Sequence, residues 1–160
     1  MVSRHEIVPT EDGRRLGRGL RRDAIAGTPV TQPPIPHVPV SWGELIDKIT
    51  ILEIKVERLS TEQARTNAAR ELSLLREIAA PVLTSGEAMA LMARLKALND
   101  SLWEIEDRIR DHERSGAFDS AFIELARAVY KRNDERGAVK RELNLALDSV
   151  LIEEKSYKPY

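Results

Sequence analysis

The chain predicts an all-α fold, an antiparallel bundle of about four helices with a disordered N-terminal arm. Three observations carry this. From Leu45 onward, apolar residues recur at alternating steps of four and three, the period of one helix face. Each such stripe follows a Ser, Thr or Asp placed to cap it, and Pro81 and Gly116 fall between stripes. The first 37 residues break the pattern: G-R-R-L-G-R-G-L-R-R is poor in apolar groups, and T-P-V-T-Q-P-P-I-P-H-V-P is too proline-rich for a helix. The expected organisation is therefore a disordered Arg/Pro-rich extension over 1–37 and one helical domain over 38–157. A chain of 160 residues is long enough for one such core.

The stretch from Val38 to Leu59 organises the rest. Pro39 keeps Val38 out of the helical region. Ser41 opens a capping box, its hydroxyl set to accept from the Glu44 amide and Glu44 set to reach back to the Ser41 amide. Val40 and Leu45 are spaced for a hydrophobic staple. The first helix is predicted over Trp42 to Leu59, with Leu45, Ile49, Leu52, Val56 and Leu59 on one face. Ile46 and Ile54 widen that face, so the helix is expected to be covered on more than one side. Ser60 or Thr61 caps a second helix, with Gln63 completing a box from Ser60. It runs to about Ala79, buries Ala68, Leu72, Leu75 and Ala79, and ends before Pro81.

Thr84-Ser85-Gly86-Glu87 is a third capping box and opens a long helix from Glu87 to Arg114. Its stripe is Leu91, Leu95, Leu98, Leu102, Ile105 and Ile109, and Gly116 is the C-terminal breaker. Asp119 or Ser120 caps the fourth helix. Its inner face begins Phe122, Ala126, Val129 and continues through Asn133, Arg136 and Lys140 to Leu143 and Leu147. No proline interrupts it, so one helix with a polar inner stretch is expected. The segment from Ile152 to Tyr160 is expected to be irregular.

Composition removes several function classes. There is no cysteine, hence no disulfide, thiolate metal site or thiol nucleophile, and a cytoplasmic location is the expectation. No apolar run approaches membrane-spanning length, and no secretory h-region is present. The net charge is −1; residues 1–40 hold six arginines against four carboxylates, which is no nucleic-acid footprint. The run from Arg14 to Arg22 reads as a solvated tail, with contact to an acidic partner as the alternative. His5, His37 and His112 are scattered, which supports neither a zinc site nor a histidine triad, and no glycine-rich phosphate loop occurs.

Chemistry is expected beside the leucine stripe of the third helix. Asn99, Trp103, Glu106 and Arg110 are spaced four, three and four, one residue round from the core. An amide, an indole, a carboxylate and a guanidinium in line there could read a small polar ligand. The alternative is an ordinary Glu106–Arg110 pair, worth about 0.3–0.5 kcal/mol, with Trp103 packed on a neighbour. The first helix adds Asp47, Lys48 and Lys55. The fourth adds Tyr130, Asn133, Arg136 and Lys140. Together these would line one polar end of the bundle and suit a carboxylate or phosphate, unless the long stems merely snorkel. Glu44–Asp47 and Glu104–Asp107 are E-x-x-D pairs of the kind that hold magnesium on facing helices. Glu44 is already used by its capping box, so no metal and no cofactor are expected.

V-P-V-S-W-G-E-L-I-D-K-I-T-I-L-E-I-K, then L-W-E-I-E-D-R-I-R, L-A-R-A-V-Y-K-R-N-D-E-R and E-E-K-S-Y, resemble a bacterial family of small proteins of unknown function, over Val38 to Tyr157. The resemblance implies a cytoplasmic bacterial protein with a loose link to surface polysaccharide assembly. The first helix is also similar in rhythm to the all-helical chorismate mutases, although Ser41 to Glu44 stand where those enzymes carry an arginine. The expectation is a helical interaction or accessory protein with an unidentified protein partner, a homodimer being one form of it. The rival is a small anionic-ligand binder or enzyme, chorismate-mutase-like or a metal-dependent nucleotide hydrolase. Its ligand candidates are Lys48, Asn99, Trp103, Glu106, Arg110, Tyr130, Asn133 and Arg136.

Overall fold

A computed structural model describes residues 34–154 and 156 of the chain. The expected disordered arm lies outside the described residues except for 34–37, which have no regular structure. Four helices follow: α1 Trp42–Arg58, α2 Glu62–Ala79, α3 Gly86–Ser115 and α4 Ser120–Ala146. No strand occurs among the described residues.

The helix starts are made by short polar side chains. Ser41 accepts from the Glu44 amide at 3.2 Å. Thr61, not Ser60, caps α2 by accepting from Ala64. Ser85 rather than Thr84 caps α3, accepting from Ala88 at 3.1 Å. Asp119 takes the amides of both Ala121 and Phe122. The reciprocal half of the first capping box is not made. The Glu44 carboxylate instead accepts from Lys140 of α4, because a buried ammonium is a stronger donor to a carboxylate than a neutral backbone amide.

Two helices end in the same way. Gly116 adopts φ 66°, its amide bonds to the Glu113 carbonyl, and the Ala117 amide reaches His112 O at 3.0 Å. At the end of α4 the left-handed position is filled by Asp148, φ 47°, with the Ser149 amide on Asn144 O at 2.8 Å. This is a Schellman ending, where glycine is favoured and aspartate is among the better substitutes.

α1 is the hub, since it packs against each of the other three helices, whereas α2 lies against α1 and not against α3 or α4. One core joins Leu45, Ile49 and Leu52 of α1 to Ala68, Leu72 and Ala79 of α2. A second joins Ile46 to Leu91 and Leu95 of α3 and to Val139 and Leu143 of α4. Covering α1 on two sides is what Ile46 and Ile54 announce, and each fully buried leucine or isoleucine contributes roughly 1.5–3 kcal/mol. Glu44 and Asp47 meet Lys140 and Arg136, so α4 runs antiparallel to α1. Asp47 and Arg58 meet Asn99 and Glu104 in that order, so α3 runs parallel to α1. Arg94–Glu142 at one end and His112–Phe122 at the other make α3 and α4 an antiparallel hairpin. α1 ends at Arg58, which reaches Asp100 and Glu104, whereas α3 continues to Ser115.

Two expected inner faces shift by one residue. In α3 the buried line is Leu91, Leu95, Asn99, Leu102, and Leu98 is only half-buried. In α4, Leu125 is the buried residue of the first half and Ala126 is exposed. The polar inner stretch of α4 is present and the helix does not break: Asn133 and Arg136 are half-buried and Lys140 is buried.

Candidate functional site

The two apolar sides of α1 leave an arc between them that carries Gly43, Asp47, Thr50 and Ile54, spaced four, three and four. Asp47 lies in that arc with its side chain 3 % exposed. A carboxylate that far from water needs a counter-charge and several donors. Both are supplied from other helices. Arg136 of α4 donates through Nε to Oδ1 at 2.9 Å and through Nη2 to Oδ2, a bidentate pair. Asn99 of α3 donates its Nδ2 to Oδ1 at 2.8 Å and to Thr50 Oγ1 at 2.9 Å. Thr50 in turn donates to the Asp47 carbonyl oxygen at 2.8 Å. Among the described residues no fully buried side-chain polar atom lacks a partner.

This network fixes two orientations. Asp47 only accepts, so the nitrogen of Asn99 must face it and the carbonyl oxygen of that amide looks away. The Arg136 guanidinium is held flat against Asp47 and donates by Nη1 to Asn133 Oδ1 at 3.2 Å. Asn133 is itself tied to Val129 O at 3.0 Å. Hydrogen bonding to Asp47 raises the Arg136 pKa above its ordinary value, against the opposing effect of burial, so its charge is fixed.

Beside the network, between α1, α3 and α4, lies a cleft of about 440 Å³. Its apolar wall is Ile51, Ile54 and Leu102; Trp103, Asn99, Asn133, Arg136, Glu106, Asp107 and Arg110 complete it. Six of the eight residues singled out from the sequence therefore meet in one place: Asn99, Trp103, Glu106, Arg110, Asn133 and Arg136. Two do not. Lys48 pairs with Glu71 of α2 at 2.6 Å, at the α1–α2 contact. Tyr130 is exposed on α4 and is not among the residues of the cleft. Arg110 bonds to Glu106 at 2.9 Å and lies 3.5 Å from Asp107, all three well exposed, so that pair is a solvated rim rather than a buried network.

Sequence reasoning named Asp47 but missed its position at the centre, and missed Thr50 and Ile51. The signal was Ile54: its neighbours on the same helix face are Thr50, Asp47 and Gly43. The two E-x-x-D pairs are taken up by cations: Glu44 by Lys140, Asp47 by Arg136, Glu104 by Arg58 and Asp107 by Arg110. A second anchor lies one turn beyond Arg136. Lys140, its side chain 8 % exposed, bridges Glu44 and Glu153. Burial pulls the ammonium's pKa down, but hydrogen bonds to the two carboxylates outweigh it and the net shift is upward.

Fold and site together define an all-helical protein in which a buried aspartate and asparagine hold a half-buried arginine in the wall of an open cleft. The chain belongs to a family of unknown function (DUF6165), whose model matches residues 37–160. No curated protein and no solved structure matches it. No helix among the described residues is long and apolar enough to cross a membrane.

Proposed function

We propose that the protein is a helical binding module whose working site is the cleft between α1, α3 and α4, and that its ligand is small and carries an anionic group. The observation that carries this reading is the Arg136 guanidinium. It sits in the cleft wall, already oriented by a buried carboxylate, and orientation in advance is what a binding arginine needs. The cleft volume falls within the usual range for small-molecule sites, and the apolar wall with few convergent polar groups is their usual composition. The cysteine-free composition and the resemblance to bacterial proteins support a cytoplasmic setting. The implied link to surface polysaccharide makes sugar acids sensible members of a first screen.

The test is a thermal-shift screen of the whole chain against a metabolite library, repeated with Trp103→Ala and with Glu106→Ala/Arg110→Ala. A stabilising compound whose effect is lost in these cleft variants supports the reading. A screen in which every hit is insensitive to them removes it.

A second reading, a helical accessory protein acting through a partner, has its own support. The distal end of the α3–α4 hairpin exposes Phe118 and Ile123, with Phe118 edge-on to Phe122 at 5.2 Å. Phe118→Ser/Ile123→Ser should abolish partner capture if this tip is the contact and leave cleft ligands unaffected.

A further inference from the structure

We infer that the ligand of the cleft is a zwitterion, a small molecule with one carboxylate and one amine on an apolar or aromatic body, of the α-amino-acid class. This rests on the cleft reading above and sharpens it.

Charge balance is the first argument. Two arginines of the cleft wall, Arg110 and Arg136, stand beside two carboxylates, Glu106 and Asp107, and Asp47 beneath adds a third negative charge. Arg136 is already neutralised by Asp47, and Arg110 is flanked by both rim carboxylates. No cationic excess remains for a doubly charged phosphate, and the rim repels one.

Hydrogen-bond supply is the second. A guanidinium has five N–H groups. Arg136 spends three of them, two on Asp47 and one on Asn133, which leaves two on the terminal nitrogens. Two N–H groups on one planar guanidinium suit a single carboxylate. Acceptors for an amine lie on the same wall. Asn99 has committed its nitrogen to Asp47 and Thr50, so its carbonyl oxygen is the group it offers the cleft. The rim adds Glu106 and Asp107. The remaining surface, Ile51, Ile54, Leu102 and Trp103, is apolar and suits a hydrocarbon or aromatic side chain.

The experiment uses the whole chain carrying Trp42→Phe, which leaves Trp103 as its one indole. Tryptophan fluorescence is titrated with L-phenylalanine and L-leucine, with phenylalanine amide and N-acetylphenylalanine, each lacking one charge, and with phenyl phosphate. The two amino acids should give a saturable change. Losing either charge, or introducing Glu106→Gln/Asp107→Asn, should weaken it roughly tenfold, the scale of one charge-assisted hydrogen bond. Tighter binding of phenyl phosphate than of the amino acids overturns the ligand class while leaving the cleft as a binding site. Silence with all five probes overturns the class if the library screen yields a cleft-dependent ligand, and overturns both readings if it does not.

Discussion

Asp47 and Glu106 show how differently two carboxylates of one small protein can behave. Glu106 and Arg110 face water, and exposed pairs contribute little. Replacing both with alanine should change stability by less than about 1 kcal/mol, with additive single effects. Asp47 has no such freedom. Asp47→Ala leaves a half-buried guanidinium without its counter-charge, and Arg136→Met leaves a carboxylate stranded among helices. Each should cost about 3–5 kcal/mol. The double variant should cost less than the two singles added, because neither unpaired charge remains. Urea denaturation of the four species decides it; additivity would mean that the pair is not the centre of the network. The residues themselves were legible, but their burial was not. Position along a helix gives the face, and only the packing of α4 reveals that a charge on that face meets its partner there.

At the level of elements, helix number, caps and breakers could be read almost directly, because they depend on local chemistry: Ser41, Asp119 and Gly116 do what their side chains dictate. The stripe of α3 was misread at one place. Leucine at 98 continues the apolar rhythm better than asparagine at 99, yet Asn99 is the inner residue because Asp47 and Thr50 of α1 stand opposite it. Complementarity across a helix contact outweighed hydrophobic period. A similar constraint fixes the start of α1. The Gly43 amide donates to Asn144 Oδ1 at 2.6 Å, and a Cβ on Gly43 would overlap the Lys140 carbonyl oxygen. In an open helix, Gly→Ala would stabilise by up to about 1 kcal/mol. Here the obstacle is backbone, so Gly43→Ala should destabilise by about 1–3 kcal/mol, the range for overpacking. A gain in melting temperature would show that α1 and α4 separate more easily than this contact implies.

For the molecule as a whole, Lys140 ties α1, α4 and the C-terminal segment together through Glu44 and Glu153. Its folded pKa lies above the ordinary lysine value of 10.5, the hydrogen bonds outweighing burial. A group raised on folding stabilises fully below its unfolded pKa and loses that contribution as pH rises through the folded one. The Lys140 contribution should therefore be fully present and insensitive to pH around neutrality, and should fall away above about 10.5. In Glu44→Gln/Glu153→Gln the alkaline fall attributable to Lys140 should shrink. Equilibrium unfolding between pH 8 and 12 checks this, and identical alkaline curves for the two proteins would count against the anchor.

The partners of α1 also have an order in time. Asp47 and Arg136 are 89 residues apart, and Gly43 and Asn144 are 101 apart. On a ribosome, α1 and α2 emerge first and can close their shared apolar face at once. The other side of α1 then waits for the last helix to be synthesised. Translation at roughly 5–20 residues per second makes that wait several seconds. Throughout it, Asp47 must stay hydrated, so the nascent chain cannot bury the inner face of α1 against the wrong surface without stranding a charge. The aspartate that fastens the finished fold thus also discourages a premature one.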